Sequence, residues 1–138
     1  MPFLVDTSVW SLALRRDLSS SAPEVGVLRA ALLSGDDIMT TGMVLLELLR
    51  GAIPPSGHTA IRTAFDALGF IEPGRADYEA AADLANTCRR GGVQLGSVDA
   101  LLAQLAIRHK LLLLTTDRDF THAAQHIPLR IWNAEGIA

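Results

Sequence analysis

The chain has 138 residues, 49% of them hydrophobic and 20% charged, and a net charge of −3. That length suits one domain with a sizeable core, and that composition speaks against wholesale disorder. A single cysteine, Cys88, excludes an internal disulfide; no Cys/His cluster has zinc-ligand spacing, and no apolar run approaches a bilayer span. With no leader-like opening, a soluble cytoplasmic protein with no membrane association is expected. The acidic balance argues mildly against a surface given over to nucleic acid. The basic residues are nevertheless eleven arginines and one lysine, Lys110, and the pairs Arg15-Arg16 and Arg89-Arg90 keep local phosphate contact open alongside plain solvated helix ends.

In chain order, short apolar runs alternate with longer helical patterns, which predicts βαβ units and a parallel sheet. Strands are expected at 3–5 (FLV), 37–40 (DIMT), 69–71 (GFI), 111–115 (LLLLT) and 128–132 (PLRIW). The run 111–115 is continuously apolar, as a strand covered on both faces should be. Helices are expected over 8–16, 24–33, 42–50 and 58–68. Ala81, Leu84, Ala85 and Cys88 then repeat with helical spacing until Gly91-Gly92, and Val98, Leu101, Leu102, Leu105 and Ala106 repeat it after Ser97, a good N-cap. Pro54-Pro55-Ser56-Gly57 reads as a loop. Cys88 lies on an apolar stripe and belongs to the core, Trp10 and Trp132 read as packing residues, and His122 and His126, four apart but lacking a third ligand, as a surface helix pair.

Several acidic residues stand in apolar surroundings. Asp6 ends the first strand in LVDTSVW, Glu47 lies inside MVLLELLRG, Asp99 follows Ser97-Val98, and Asp117 follows LLLLTT with Asp119 two residues on. Taken singly, Asp6, Asp117 and Asp119 read equally well as helix caps, and Asp99 as a first-turn charge that favours the helix dipole. Glu47 resists that treatment, because a carboxylate among leucines demands a partner or a shifted pKa. Together they form a pattern. In a parallel α/β sheet the strand C-termini share one edge, so Asp6 and Asp117 meet there if their strands are neighbours. Two carboxylates about 4 Å apart repel by roughly 4 kcal/mol at an effective dielectric of 20. Such a cluster calls for a divalent cation, and oxygen-only ligands suit Mg²⁺ or Mn²⁺.

The ordered set LVDTSVW, LLELLRG, LGSVDALLAQLA and LLTTDRDF resembles the PIN-domain ribonucleases, specifically the VapC-type toxins of bacterial toxin–antitoxin pairs. The resemblance runs from residue 3 to about 132. It implies one PIN domain over 1–138, a three-layer α/β/α sandwich around a parallel sheet of about five strands, and Mg²⁺- or Mn²⁺-dependent cleavage of RNA, tRNA or rRNA being the expected targets. By match, Asp6, Glu47, Asp99 and Asp117 become the acidic quartet that binds metal and performs catalysis. Asp6 and Asp99 are then the main ligands, with Glu47 and Asp117 as further ligands or water-positioners; one metal and two remain equally open. Thr7 and Thr116 match assisting hydroxyls, and Asp119 is either an outer-shell ligand or a helix cap.

The implied partners are an RNA substrate, a cognate VapB-type antitoxin and a second copy of the chain in a homodimer. Leu45, Leu46, Leu48 and Leu49 make the Glu47 helix apolar on more than one side, so an apolar groove beside it is expected to take an antitoxin segment. Other Asp-dependent classes fit less well. A haloacid-dehalogenase-like phosphatase needs an acid where Ser8 stands, a receiver domain needs a lysine after a late strand whereas Lys110 precedes one, and no P-loop motif occurs. The alternative is a catalytically inactive PIN-like module that binds RNA or protein; a full set of acids argues against it.

Overall fold

In the computed structural model, which describes residues 2–15 and 22–137, four strands form one parallel sheet. They are β1 (Phe3–Val5), β2 (Ile38–Thr41), β3 (Gly69–Ile71) and β4 (Leu112–Leu114), in the order β3-β2-β1-β4. Leu4 pairs with Met39 on one side and Leu113 on the other, so the first and last of these strands are direct neighbours. The helices are α1 (Thr7–Ala13), α2 (Pro23–Ser34), α3 (Gly42–Glu47), α4 (His58–Asp66), α5 (Arg75–Arg90), α6 (Ser97–Arg108) and α7 (Arg118–Ala123). Each parallel crossover carries helix, as such a sheet requires. β4 is buried along its whole length, and Leu4 and Val5 of β1 are fully enclosed, which is why these strands read as unbroken apolar runs.

Helix α6 is the most deeply set: Ala100, Leu101, Leu102, Ala103, Leu105 and Ala106 are all buried. Its expected cap moves by one residue, with Gly96 at the N-cap and Ser97 inside the first turn. The stretch expected as one helix over 42–50 is two segments. It is α-helical to Glu47 and then widens into a π-helical turn, Leu48–Ala52, closed by the Ile53 amide donating to the Leu48 carbonyl (3.1 Å). Pro54 and Pro55 follow immediately and forbid another α-turn, and the expected loop there includes a 3₁₀ turn, Pro55–Gly57. Gly35 ends α2 at φ +76°, a left-handed conformation that suits a residue without Cβ.

The fifth expected strand, 128–132, contributes one parallel bridge, Ile131 to Leu113, with the Leu113 amide donating to the Arg130 carbonyl (2.9 Å). Pro128 has no N–H to extend that ladder. The chain turns away instead into a small antiparallel hairpin, β5 (Trp132–Asn133) with β6 (Gly136–Ile137). Helix α1 ends at Ala13, short of the expected residue 16, and Arg16 of the first arginine pair lies outside the described residues. Arg89 and Arg90 bond to Asn86 and Thr87 on their own last turn. His122 is in the last turn of α7 while His126 stands beyond it against Gly91, so the two do not share a helical face. Cys88 is fully buried, and burial pushes its thiol pKa up. Among the described residues no helix is long and apolar enough to cross a membrane.

Candidate metal centre

β1 and β4 lie side by side and parallel, so their C-terminal ends deliver Asp6 and the segment Thr115–Asp117 to one place. The Asp6 amide donates to the Leu114 carbonyl (2.9 Å), which fixes the two strand ends together. Asp6 is nearly buried, 6% exposed. It occupies the N-cap position of α1, but its side chain makes no capping bond. Its Oδ2 instead accepts from the Ser8 hydroxyl (2.8 Å) and the Thr115 hydroxyl (2.9 Å). Ser8 Oγ also accepts from the Thr116 amide (3.2 Å), and Thr115 Oγ1 from the Asp117 amide (3.0 Å). The carboxylate is thus positioned by hydroxyls that are themselves tied to the opposite strand end.

Glu47 closes the regular part of α3 and is half-buried. Its Oε1 accepts from the Thr7 hydroxyl at 2.8 Å, which links α3 to the start of α1. Asp117 caps α7 by accepting from the Asp119 amide (2.9 Å), so its cap role holds alongside any other. Asp99 stands in the first turn of α6, half-buried. Burial raises its pKa first, and the negative charges of Asp6, Asp117, Glu47 and Asp119 add to the effect, to about 6. The other three quartet positions thus all act electrostatically on Asp99, and of them Asp117 has its carboxylate within ligand-sharing distance of it.

Asp119 belongs with them. Asp99, Asp117 and Asp119 each bring a carboxylate oxygen within 4.8 Å of the other two. The expectation that Asp6 and Asp99 dominate metal binding is therefore joined by this second grouping. Every donor is a carboxylate or hydroxyl oxygen, and Asp99 is already strained by its neighbours' charge, so the residues present fit a hard divalent cation. Of the two hydroxyls singled out in sequence, Thr7 bonds a site carboxylate, whereas Thr116 contributes its backbone amide. Thr115 and Ser8 were missed as Asp6 partners. Thr115 ends an apolar run, and a hydroxyl buried there must find an acceptor.

The sequence model of the PIN domain family matches residues 3–125. The chain is 34% identical over 119 residues to ribonuclease VapC11 of Mycobacterium tuberculosis and to VapC ribonuclease Mb1587 of Mycobacterium bovis, covering 85% of this chain and 87% of each relative. Among solved structures, VapBC2 from Rickettsia felis bound to a promoter DNA fragment matches with a TM-score of 0.71 at 20% identity, over 96% of this chain and 100% of that one. The sarcin-ricin-loop-cleaving toxin VapC20 of Mycobacterium tuberculosis matches at 0.66 and 20%, over 92% and 98%. Sheet order, strand-end acids and these relationships agree: the chain belongs to the PIN domain family, as a relative of its VapC ribonucleases.

Proposed function

We propose that this protein is a divalent-metal-dependent endoribonuclease, built as a single PIN domain, that serves as the toxin of a toxin–antitoxin pair. The observation that carries RNA cleavage is the 34% identity to VapC ribonucleases over most of both chains. Asp6, Asp99, Glu47 and Asp117 are its proposed metal-binding and catalytic residues, with Asp119 as a further ligand; Thr7 positions Glu47, and Ser8 and Thr115 position Asp6. Mg²⁺ is the proposed ion and Mn²⁺ its substitute. Such a cation, when bound, supplies positive charge against a phosphodiester and makes a water acidic enough to attack it. Glu47 spends one oxygen on Thr7 and keeps the other to take a proton from the attacking water. Water oxygen bonds to phosphorus as the bridging P–O bond breaks, and the leaving oxygen takes a proton from solvent. tRNA or rRNA is the proposed substrate class.

The test is cleavage of structured RNA by the purified protein with Mg²⁺ or Mn²⁺ and with EDTA. Cleavage that needs the cation supports the proposal, and undiminished cleavage in excess chelator overturns the metal dependence. The proposed protein partner is a VapB-type antitoxin, since VapBC-1 from nontypeable Haemophilus influenzae and a toxin–antitoxin complex from Klebsiella pneumoniae share the fold. An apolar groove of about 290 Å³ between α3, α5 and α6, lined by Met43, Tyr78, Ala85 and Val98, supports docking of its apolar segment next to Asp99. Exposed Leu33 and Leu46 support self-association into a homodimer. Sedimentation of the free chain tests the dimer, and protection of Met43 and Tyr78 from surface labelling in the complex tests the docking.

A further inference from the structure

A second hollow, about 520 Å³, opens beside the acidic cluster between α7, the hairpin strand β5 and the start of α2. Asp117 of the cluster lines it, as does Thr115, which bonds Asp6, so the hollow adjoins the cluster. Its volume falls within the range of about 300–1,000 Å³ typical of small-ligand sites. Asp117 and Glu24 in its wall repel a phosphate, but a neutral base with amino groups is compatible with them. Arg118, exposed at the first turn of α7, has no ion pair among the described residues and is free to meet a neighbouring phosphate.

The rest of the lining suits a base. Trp132 is half-buried and gives the hollow an aromatic surface. The Gln125 side chain is exposed, with no bond to protein among the described residues. Asn133 uses Oδ1 to accept from the Glu135 amide (3.0 Å), which leaves its amide N–H donors unspent. Aromatic stacking combined with amide groups facing a base edge is how unpaired nucleotides are held and distinguished, and a base inside a duplex could not reach this surface.

We infer that this hollow is the specificity subsite for one unpaired base flanking the bond that is cut. The inference rests on the ribonuclease reading and deepens it. Trp132 stacks the base, Gln125 and Asn133 read its edge, and Arg118 holds an adjoining phosphate.

Two measurements test it. In the first, a randomised single-stranded RNA is cleaved with Mg²⁺ and the products sequenced. Wild-type protein should show a base preference beside the cut that Gln125→Ala flattens without lowering the melting temperature. Trp132→Ala should raise KM about tenfold or more with a smaller change in kcat, and Trp132→Phe should recover most of it. In the second, the metal-free protein is titrated with the four nucleosides while the indole N–H signals are followed by NMR. The Trp132 signal, assigned by its loss in Trp132→Phe, should move while that of buried Trp10 stays. An unchanged base preference in Gln125→Ala and an unchanged KM in Trp132→Ala, with cleavage intact, overturn the subsite and leave the ribonuclease standing. A protein that cuts no RNA but whose Trp132 signal responds to nucleosides overturns the ribonuclease and supports the base site. No response to any nucleoside overturns the subsite.

Discussion

At Asp99 the charges that suit the proposed metal site also destabilise the fold without a cation. Burial and four neighbouring carboxylates raise its pKa from 3.8 to about 6. A raised carboxyl pKa stabilises the fold fully below pH 3.8, and that contribution is lost as pH climbs through about 6. Asp99→Asn should therefore raise the melting temperature of the metal-free protein at pH 7.5, by roughly 2–5 °C, and flatten its decline between pH 4 and 6 while eliminating cleavage. A lower melting temperature would mean that Asp99 is wanted chiefly as a helix-start charge. Thr115 tests the opposite sign. Thr115→Val keeps the shape but removes a buried hydroxyl from Asp6, and should cost about 1–2 kcal/mol in urea denaturation and reduce cleavage at least tenfold. The acids were legible because carboxylates at the ends of apolar runs violate a pattern. Thr115 was not, because threonine is at home in a strand, and only knowing that β1 lies beside β4 gives its hydroxyl an acceptor.

Helix α6 carries Asp99 at one end and is tied down at the other. Arg108 donates to buried Asp77 of α5 at 2.6 Å, and Gln104 reaches the same carboxylate at 3.4 Å. Asp77 also accepts from the Gly74 amide (2.9 Å) at the start of α5. Burial alone would raise the Asp77 pKa, but the Gly74 amide, Gln104 and Arg108 outweigh it and hold it below the usual value. Its contribution is thus present above pH 3.8 and lost as pH falls further. Asp77→Asn should cost about 1.5–3 kcal/mol, and Arg108→Gln, whose side chain is half exposed, only about 0.5–1 kcal/mol. Denaturation curves showing the reverse order would place the stabilising weight on the arginine. The apolar repeat of α6 was plain in sequence because a 3.6-residue period survives any cap. The π-turn after Glu47 was not, since Leu48–Ala52 differs from an α-helical run only in which carbonyl each amide chooses.

For the whole molecule, a cation shared by segments from β1, α3, α6 and α7 should act as a clasp. Adding Mg²⁺ or Mn²⁺ should raise the melting temperature in a concentration-dependent way, by about 2.7 kcal/mol of stability at a hundredfold excess over Kd, and EDTA should reverse it. The gain should be larger at pH 7.5 than at pH 5, where a proton competes at Asp99; equal shifts at both would argue that the ion binds away from this residue. The alternation of short strands and helices made the parallel class legible, and the strand-end acids marked the sheet edge at which a site would form if their strands were neighbours. Strand order itself is not written locally: β1 sits between β2 and β4, its backbone paired along both edges, whereas burial of Leu4 and Val5 reports only that both faces of the sheet are covered. That central place has a consequence in time. Thr115, which secures Asp6, lies 109 residues after it. At about 5–20 residues per second, a ribosome needs roughly 5–20 s to make that stretch. A nascent chain can already pair β1 with β2, and β2 with β3, while Asp99 and Asp117 are still unmade. No product of translation that stops before Asp117 carries the complete cluster, so on the proposed reading such a fragment should not cleave RNA, which truncated chains tested in the cleavage assay would check.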